Sequence, residues 1–267
     1  MSRTVNPIWT DGNAYEAFVG RWSRLTAVEF LNWLALPPKA AWLDVGCGTG
    51  ALTQAILDRF DPKNIDACDL SKAFVDVAIH AIHDPTVSFE IADACALSSA
   101  STSYDAVVSG LMINGVPDQS KALSELARCA KPGATVGLYV WDFDGEMQML
   151  RYFWESANAL SPDPDDDGDP GGFAICKPDR LRQALRDAGL QDVEVRAIDT
   201  PAHFKDFDDY WSPFLHGGAP AQQHVAALSD EKRAELREHI RERLPIAPDG
   251  SIPLIARAWA AKGIKPV

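Results

Sequence analysis

Apolar residues along this chain alternate between two habits: short unbroken runs, and stretches in which they recur every three or four positions. AWLDV (41–45), NIDACD (64–69), VSFEIAD (87–93), YDAVVSG (104–110) and ATVGLYVW (134–141) read as strands, since short apolar runs suit a pleated surface buried on both faces. Between them, Leu52, Ile56 and Phe60, then Phe74, Ala78 and Ile82, then Leu123, Leu126, Ala127 and Ala130 keep helical spacing. Strand, helix, strand in regular succession predicts right-handed crossovers and a parallel sheet covered on both sides, a doubly wound α/β fold. Ahead of that core, residues 14–36 set Phe18, Trp22, Leu25 and Val28 at helical intervals, and Pro37-Pro38 stops the helix because proline cannot continue the hydrogen-bond ladder.

The regularity breaks after Trp141. An aromatic and acidic stretch leads into SPDPDDDGDPGG (161–172), which reads as a surface loop. A helix over 178–188 opens with proline and closes at Gly189, and the strand DVEVRAID (192–199) follows. Residues 203–250 read as a second insertion, with aromatics first and then a helix carrying Leu236, Ile240 and Leu244 on one face. A last strand, IPLIARAWA (252–260), follows the Asp249-Gly250 turn. The expected organisation is a cap helix (1–38), a core (39–141), an insertion (142–177), a return to the core (178–202), a second insertion (203–250) and a final strand with its tail (251–267).

Composition narrows the chemistry. Twenty-five lysines and arginines against 38 aspartates and glutamates give a formal charge of −13, which repels phosphate backbones and anionic membrane surfaces and disfavours a nucleic-acid partner. No stretch approaches the roughly 20 apolar residues of a membrane span. Five cysteines, Cys47, Cys68, Cys95, Cys129 and Cys176, are odd in number and form no C-x-x-C pair, the pattern of reduced thiols in a cytoplasm.

The sharpest motif is LDVGCGTG (43–50), at the junction of a strand and a helix. Gly46, Gly48 and Gly50 leave the backbone bare for a ligand and permit positive φ. By spacing alone they also satisfy, with Ala51, the dinucleotide fingerprint, with Asp69 near the distance of a ribose-binding acid, so a nicotinamide oxidoreductase is one reading. Asp44, where such a strand usually carries an apolar residue, and Asp93 weigh against it.

With these residues the sequence resembles the class I S-adenosylmethionine-dependent methyltransferases, particularly the small-molecule branch related to ubiquinone and menaquinone biosynthesis enzymes. The match covers roughly residues 14–141 and resumes at the last two strands. The resemblance implies a Rossmann-like, seven-stranded, mostly parallel sheet ending in an antiparallel hairpin, with the N-terminal helix and the insertions forming a cap. It implies that Asp44, Gly46, Cys47, Gly48 and Gly50 wrap the methionine part of S-adenosylmethionine, and that Asp69 binds both ribose hydroxyls with Leu70 against the adenine. Asp93 then reaches the adenine amino group with Ala94 beside it, and SGLMINGV (109–116), from Ser109 onward, flanks the transferable methyl. A helix closing over the cofactor in related enzymes would put Tyr15 and Arg21 against the methionine carboxylate; the plain alternative leaves Arg21 solvated.

Other residues read more simply. His80 and His83 share a helix face without a third ligand, so no metal site is expected; His216 is a lone histidine and weak evidence for a base. The acidic run 163–169 lacks the placement of a calcium loop. Phe143, Tyr152, Phe153, Trp154, Phe173, Phe207, Tyr210, Trp211 and Phe214 read either as a separate small core or, in part, as the wall of a substrate pocket. The expected activity is methyl transfer to an O, N or C atom of a small, partly apolar or aromatic acceptor. No residue is marked as catalytic, and a non-catalytic cofactor-binding protein is the reading from another class. Oligomeric state is left open.

Overall fold

The computed structural model describes residues 20–143, 145–161 and 173–267. The strands are β1 (Ala41–Val45), β2 (Asn64–Asp69), β3 (Val87–Ile91), β4 (Tyr104–Gly110), β5 (Ala130–Trp141), β6 (Gln191–Phe204) and β7 (Ile252–Ile264). They form one sheet in the order β3-β2-β1-β4-β5-β7-β6, parallel from β3 to β5, with β7 antiparallel between β5 and β6. This is the Rossmann-like sheet with a terminal antiparallel hairpin that the motif pattern and the resemblance implied.

The helices are α1 (Arg21–Leu34), α2 (Ala51–Phe60), α3 (Lys72–Ala81), α4 (Gln119–Cys129), α5 (Gln148–Leu160), α6 (Pro178–Asp187), α7 (Phe207–Trp211), α8 (Pro220–Ala227) and α9 (Asp230–Arg243). Their ends are set locally. The Ser71 and Asp118 side chains accept from the backbone N–H groups of Phe74 and Lys121 at the starts of α3 and α4. Ala35 turns left-handed to end α1 two residues before the Pro37-Pro38 pair.

Strand periodicity sorts the core into two layers. Trp42, Ala106, Val108, Tyr139 and Trp141 face α1 and α2, while Leu43, Val107, Val136, Leu138 and Val140 face α4 and α6. Gly137 in β5 lets α1 seat directly on the sheet, since a Cβ there would lie 3.0 Å from Phe30 and Leu34 side-chain atoms.

Three elements outrun their sequence reading. β6 continues to Phe204 rather than ending at Asp199, β7 to Ile264, and β5 begins at Ala130. In the sheet, Trp141 pairs with Ala258 and Ala258 with Ile198. The pairs from Asp199–Arg257 to Phe204–Ile252 project past the carboxyl end of β5, flanked at Arg257 and Ala256 by residues 142–147 and two-stranded from Pro201–Ile255 onward. The edge position of β6 tolerates Pro201, which has no N–H to donate. Alternate burial of Ile198, Thr200, Ala202 and Phe204 gives the ribbon an inner face, and the Thr200 and Thr26 hydroxyls meet across it at 2.9 Å.

Helix α5 stands where the sequence reading saw only broken regularity. Met149, Leu150, Phe153, Ser156 and Ala157 form its buried face, a pattern blurred in the sequence by the neighbouring Tyr152 and Trp154. The insertion aromatics form no separate core. Phe153, Phe207, Tyr210, Trp211 and Phe214 are continuous with Trp22, Phe204 and Trp141 of the main body, and the Tyr210 hydroxyl donates to the Met149 carbonyl at 2.8 Å. The acidic run 163–169, Tyr15 and Phe18 lie outside the described residues.

Phe30 of α1 is fully buried against Tyr139 of β5, their ring centroids 4.8 Å apart. Phe30→Ala is expected to lower unfolding free energy by about 3–5 kcal/mol, read as a reduced denaturant midpoint at unchanged slope.

Candidate functional site

The parallel strands deliver their carboxyl ends to one edge, where open α/β sheets bind ligands. The glycine loop leaves β1 at that edge. The amides of Gly46 and Cys47 both donate to the Cys68 carbonyl at 2.8 and 2.9 Å, pinning the loop to the end of β2. Gly46, Gly48 and Gly50 have φ of +76°, +55° and +91°, the left-handed region that disfavours a side chain. The three differ in surroundings. A Cβ on Gly46 would collide with Met112, and one on Gly50 would lie 2.8 Å from Ile82, whereas one on Gly48 would meet nothing within 4 Å. Gly46 and Gly50 are thus packing glycines, and Gly48 is the open floor of the cradle.

Asp69 borders that floor. Its Oδ2 accepts from the Gly48 amide at 3.0 Å and its Oδ1 from the Ser71 amide at 2.8 Å. Each oxygen keeps a second lone pair, so the carboxylate is oriented and still able to accept from a ligand. Burial raises its pKa, and the amides of Ser71, Gly48 and Leu70 oppose the rise. The next residue, Leu70, is 71% exposed, and Ile91, the partner of Asp69 in β3, is 54% exposed. Two large apolar side chains in water beside a ribose-type acid are what a flat apolar base would cover. Ile91 was missed in the sequence, where it read only as a strand residue.

Asp93 is exposed, follows β3, and accepts from the Cys95 amide at 2.8 Å; the Ala92 amide donates to the Asp69 carbonyl at 3.1 Å, holding this turn beside β2. Ala94 is half-buried there. The structure therefore brings the loop, Asp69, Leu70, Asp93 and Ala94 together along three neighbouring strands. Ser109, at the end of β4, is buried with its hydroxyl unpartnered among the described residues. Beyond it Leu111 adopts φ +58°, uncommon for a side-chain-bearing residue, and this turn carries Met112 onto Gly46.

Arg21 stands elsewhere. Its guanidinium pairs with Asp209 of α7 at 3.0 Å and stacks on Trp22 and Phe204. Phe204 ends β6, four strand positions from β1. The ion pair with Asp209 and the aromatic faces that hold it are contacts that sequence spacing does not reveal, and they add to the placement against the methionine carboxylate inferred from the sequence without deciding it. His80, His83 and His216 are exposed, and among the described residues no group of three or more His, Cys, Asp or Glu could hold a metal. Cys47 is buried, and burial pushes its thiol well above the ordinary range, which makes it a packing residue of the loop and not a nucleophile.

Asp44 is the site's electrostatic oddity. It is fully buried; Oδ2 accepts from the Thr53 hydroxyl at 2.6 Å, and Oδ1 has no partner among the described residues. Burial pushes its pKa from an ordinary 3.8 up to about 7, against the opposing Thr53 hydrogen bonds, with the Asp69 charge adding to the rise. A carboxyl that binds its proton more tightly folded than unfolded costs stability as pH climbs between those two values, a loss on the order of 4 kcal/mol once complete. A cationic ligand at Oδ1 would offset that cost. Asp44→Asn is expected to match the wild type in thermal stability near pH 4 and exceed it at pH 8 without ligand, while binding a cationic ligand more weakly.

Residues 43–138 match the family model described as a methyltransferase domain. Methyltransferase ucsB of an Acremonium species is 22% identical over 87% of this chain and 88% of its own length. The demethylmenaquinone methyltransferase of Lactobacillus johnsonii is 31% identical over 45% of this chain, and the match spans about half (51%) of that relative. Among solved structures, phosphoethanolamine N-methyltransferase 2 of Haemonchus contortus, in complex with phosphomonomethylethanolamine and S-adenosylhomocysteine, superimposes with a TM-score of 0.58 at 19% identity over 96% of this chain and 57% of that one, a likeness of fold. The glycine loop and the terminal hairpin agree with these matches: residues 43–138 form a methyltransferase domain, and the chain resembles the class I S-adenosylmethionine-dependent methyltransferases.

Proposed function

We propose that Asp44, Gly46, Cys47, Gly48, Gly50, Asp69, Leu70, Asp93, Ala94 and Ser109 form the S-adenosylmethionine site, and that the protein methylates a small acceptor seated over the ends of β4 and β5. The observation that carries this reading is the open floor at Gly48, bounded by the oriented Asp69 carboxylate on one side and the unpartnered Asp44 oxygen below. Asp69 would accept from the ribose hydroxyls, Leu70 and Ile91 would cover the adenine, and Asp93 would receive its amino group. Asp44 supplies buried negative charge beneath the end of the ligand that carries an ammonium and a sulfonium.

When bound, S-adenosylmethionine supplies an electrophilic methyl group on its sulfonium, so the reactive chemistry belongs to the cofactor. The chain contributes orientation and exclusion of water. Met112 roofs Gly46, and the rings of Phe143 and Phe173, with centroids 4.3 Å apart, stand just past the end of β5, where they wall the acceptor. The relatives from Lactobacillus johnsonii and Haemonchus contortus are named for small acceptors, a demethylmenaquinone and phosphoethanolamine, and a small molecule is the acceptor we assign here. Among the described residues no helix is long and apolar enough to cross a membrane, and all five cysteines are unpaired, which suits the reducing cytoplasm we assign.

Asp69→Ala removes the ribose acceptor together with the tie to Gly48. By calorimetry it is expected to weaken S-adenosylhomocysteine binding by about 1–3 kcal/mol with circular dichroism unchanged; equal affinity in a folded variant would remove Asp69 from the site.

A further inference from the structure

Arg21 holds a cation with half of its hydrogen-bonding edge unused. Nη1 donates to Asp209 Oδ1 at 3.0 Å, while Nε and Nη2 are buried and have no partner among the described residues. Those two N–H groups lie side by side on one edge of the planar guanidinium, the fork that grips two oxygens of a carboxylate or phosphate. Asp209 cannot turn to serve them, because its Oδ2 already accepts from the Lys205 amide at 3.0 Å. Nor is the guanidinium free to swing away, since its carbon sits 4.5 Å from the Phe204 ring and 4.8 Å from the Trp22 ring, both of them buried. A buried, rigid, charged donor pair without an acceptor is an exception to how proteins satisfy buried polar groups, and it calls for an acceptor.

We propose that the Nε–Nη2 edge of Arg21 seats an anionic group, carboxylate or phosphate, of the methyl acceptor. The inference rests on the methyltransferase reading above and names the substrate class for it. Position favours the acceptor over the cofactor: Arg21 packs on the end of β6, four strand positions from the glycine-loop strand, on the ribbon that projects past the sheet. A chain with a formal charge of −13 repels anions at long range, so an acidic acceptor would depend on a fixed local cation such as Arg21 to be held. The Arg21 side chain is 30% exposed while Nε and Nη2 themselves are covered, so an anion would take the place of whatever now covers that edge.

The test follows the Arg21 Nε–H resonance by NMR in protein saturated with S-adenosylhomocysteine, the signal being identified by its loss in Arg21→Gln. Probes are 4-hydroxybenzoate, trans-aconitate and phenyl phosphate, each beside its neutral methyl ester. At least one acid is expected to move the resonance and no ester to do so. Affinity for that acid should fall about 100-fold in Arg21→Gln and stay low in Arg21→Lys, whose ammonium keeps the charge without the fork. A resonance unmoved by all three acids, or equal acid affinity in Arg21→Gln, overturns the proposal. So does a loss in Arg21→Gln of affinity for S-adenosylhomocysteine but not for 5′-methylthioadenosine, which lacks the amino-acid end, because the fork would then belong to the cofactor. Failure of the wild type to bind S-adenosylhomocysteine at all is read in a separate titration and contradicts the cofactor site instead.

Discussion

The contact on which the rest of the site depends is the Asp69 carboxylate bridging two backbone amides, Gly48 in the glycine loop and Ser71 at the start of α3. It locks the β1–α2 turn to the β2–α3 turn and fixes the direction of its own free lone pairs. Parallel strands make this possible, because both turns emerge at the same edge. The positive φ values of the loop then let backbone, not side chains, form the floor. Asp44 is the counterpart below: a carboxyl kept in an unfavourable burial, stabilised on one oxygen by Thr53 and left open on the other. Strain and unsatisfied charge gathered under one loop are the physical signature of a site that a ligand completes.

On the other side of the sheet's midline stands the β6–β7 ribbon, on the side proposed for the acceptor. It carries the sheet past its own carboxyl edge and gives α1, α5 and α7 an apolar face to share, through Phe204, Tyr210, Phe153 and Phe214. The result is continuous packing from the sheet into the helical layer. Arg21 sits where α1, the ribbon and α7 meet, so any group it binds would be sensed by all three.

Much of this was legible in the sequence. The short apolar runs and the period-3.6 stretches placed all seven strands and the core helices, and LDVGCGTG with Asp69 and Asp93 marked the edge proposed for the cofactor, since these features are local. What escaped was set by tertiary contact. The ribbon extension of β6 runs through Pro201, a residue that argues against a central strand but not against an edge one. Helix α5 was hidden because aromatics on both of its faces obscure the periodicity. Arg21 was drawn to a carboxylate, as its chemistry suggested, yet the carboxylate is Asp209, 188 residues along the chain, which no spacing rule anticipates. The exposed Ile91 beside Leu70 depends on β3 being the sheet's edge strand, a matter of strand order alone.

The central claim, that this edge is built for an adenosylated amino acid and not a dinucleotide, is tested most directly by thermal unfolding of the intact protein with saturating S-adenosylhomocysteine or NAD, since a ligand that binds only the folded state raises its melting temperature. The account requires a rise with S-adenosylhomocysteine and none with NAD. A rise with NAD alone would contradict it.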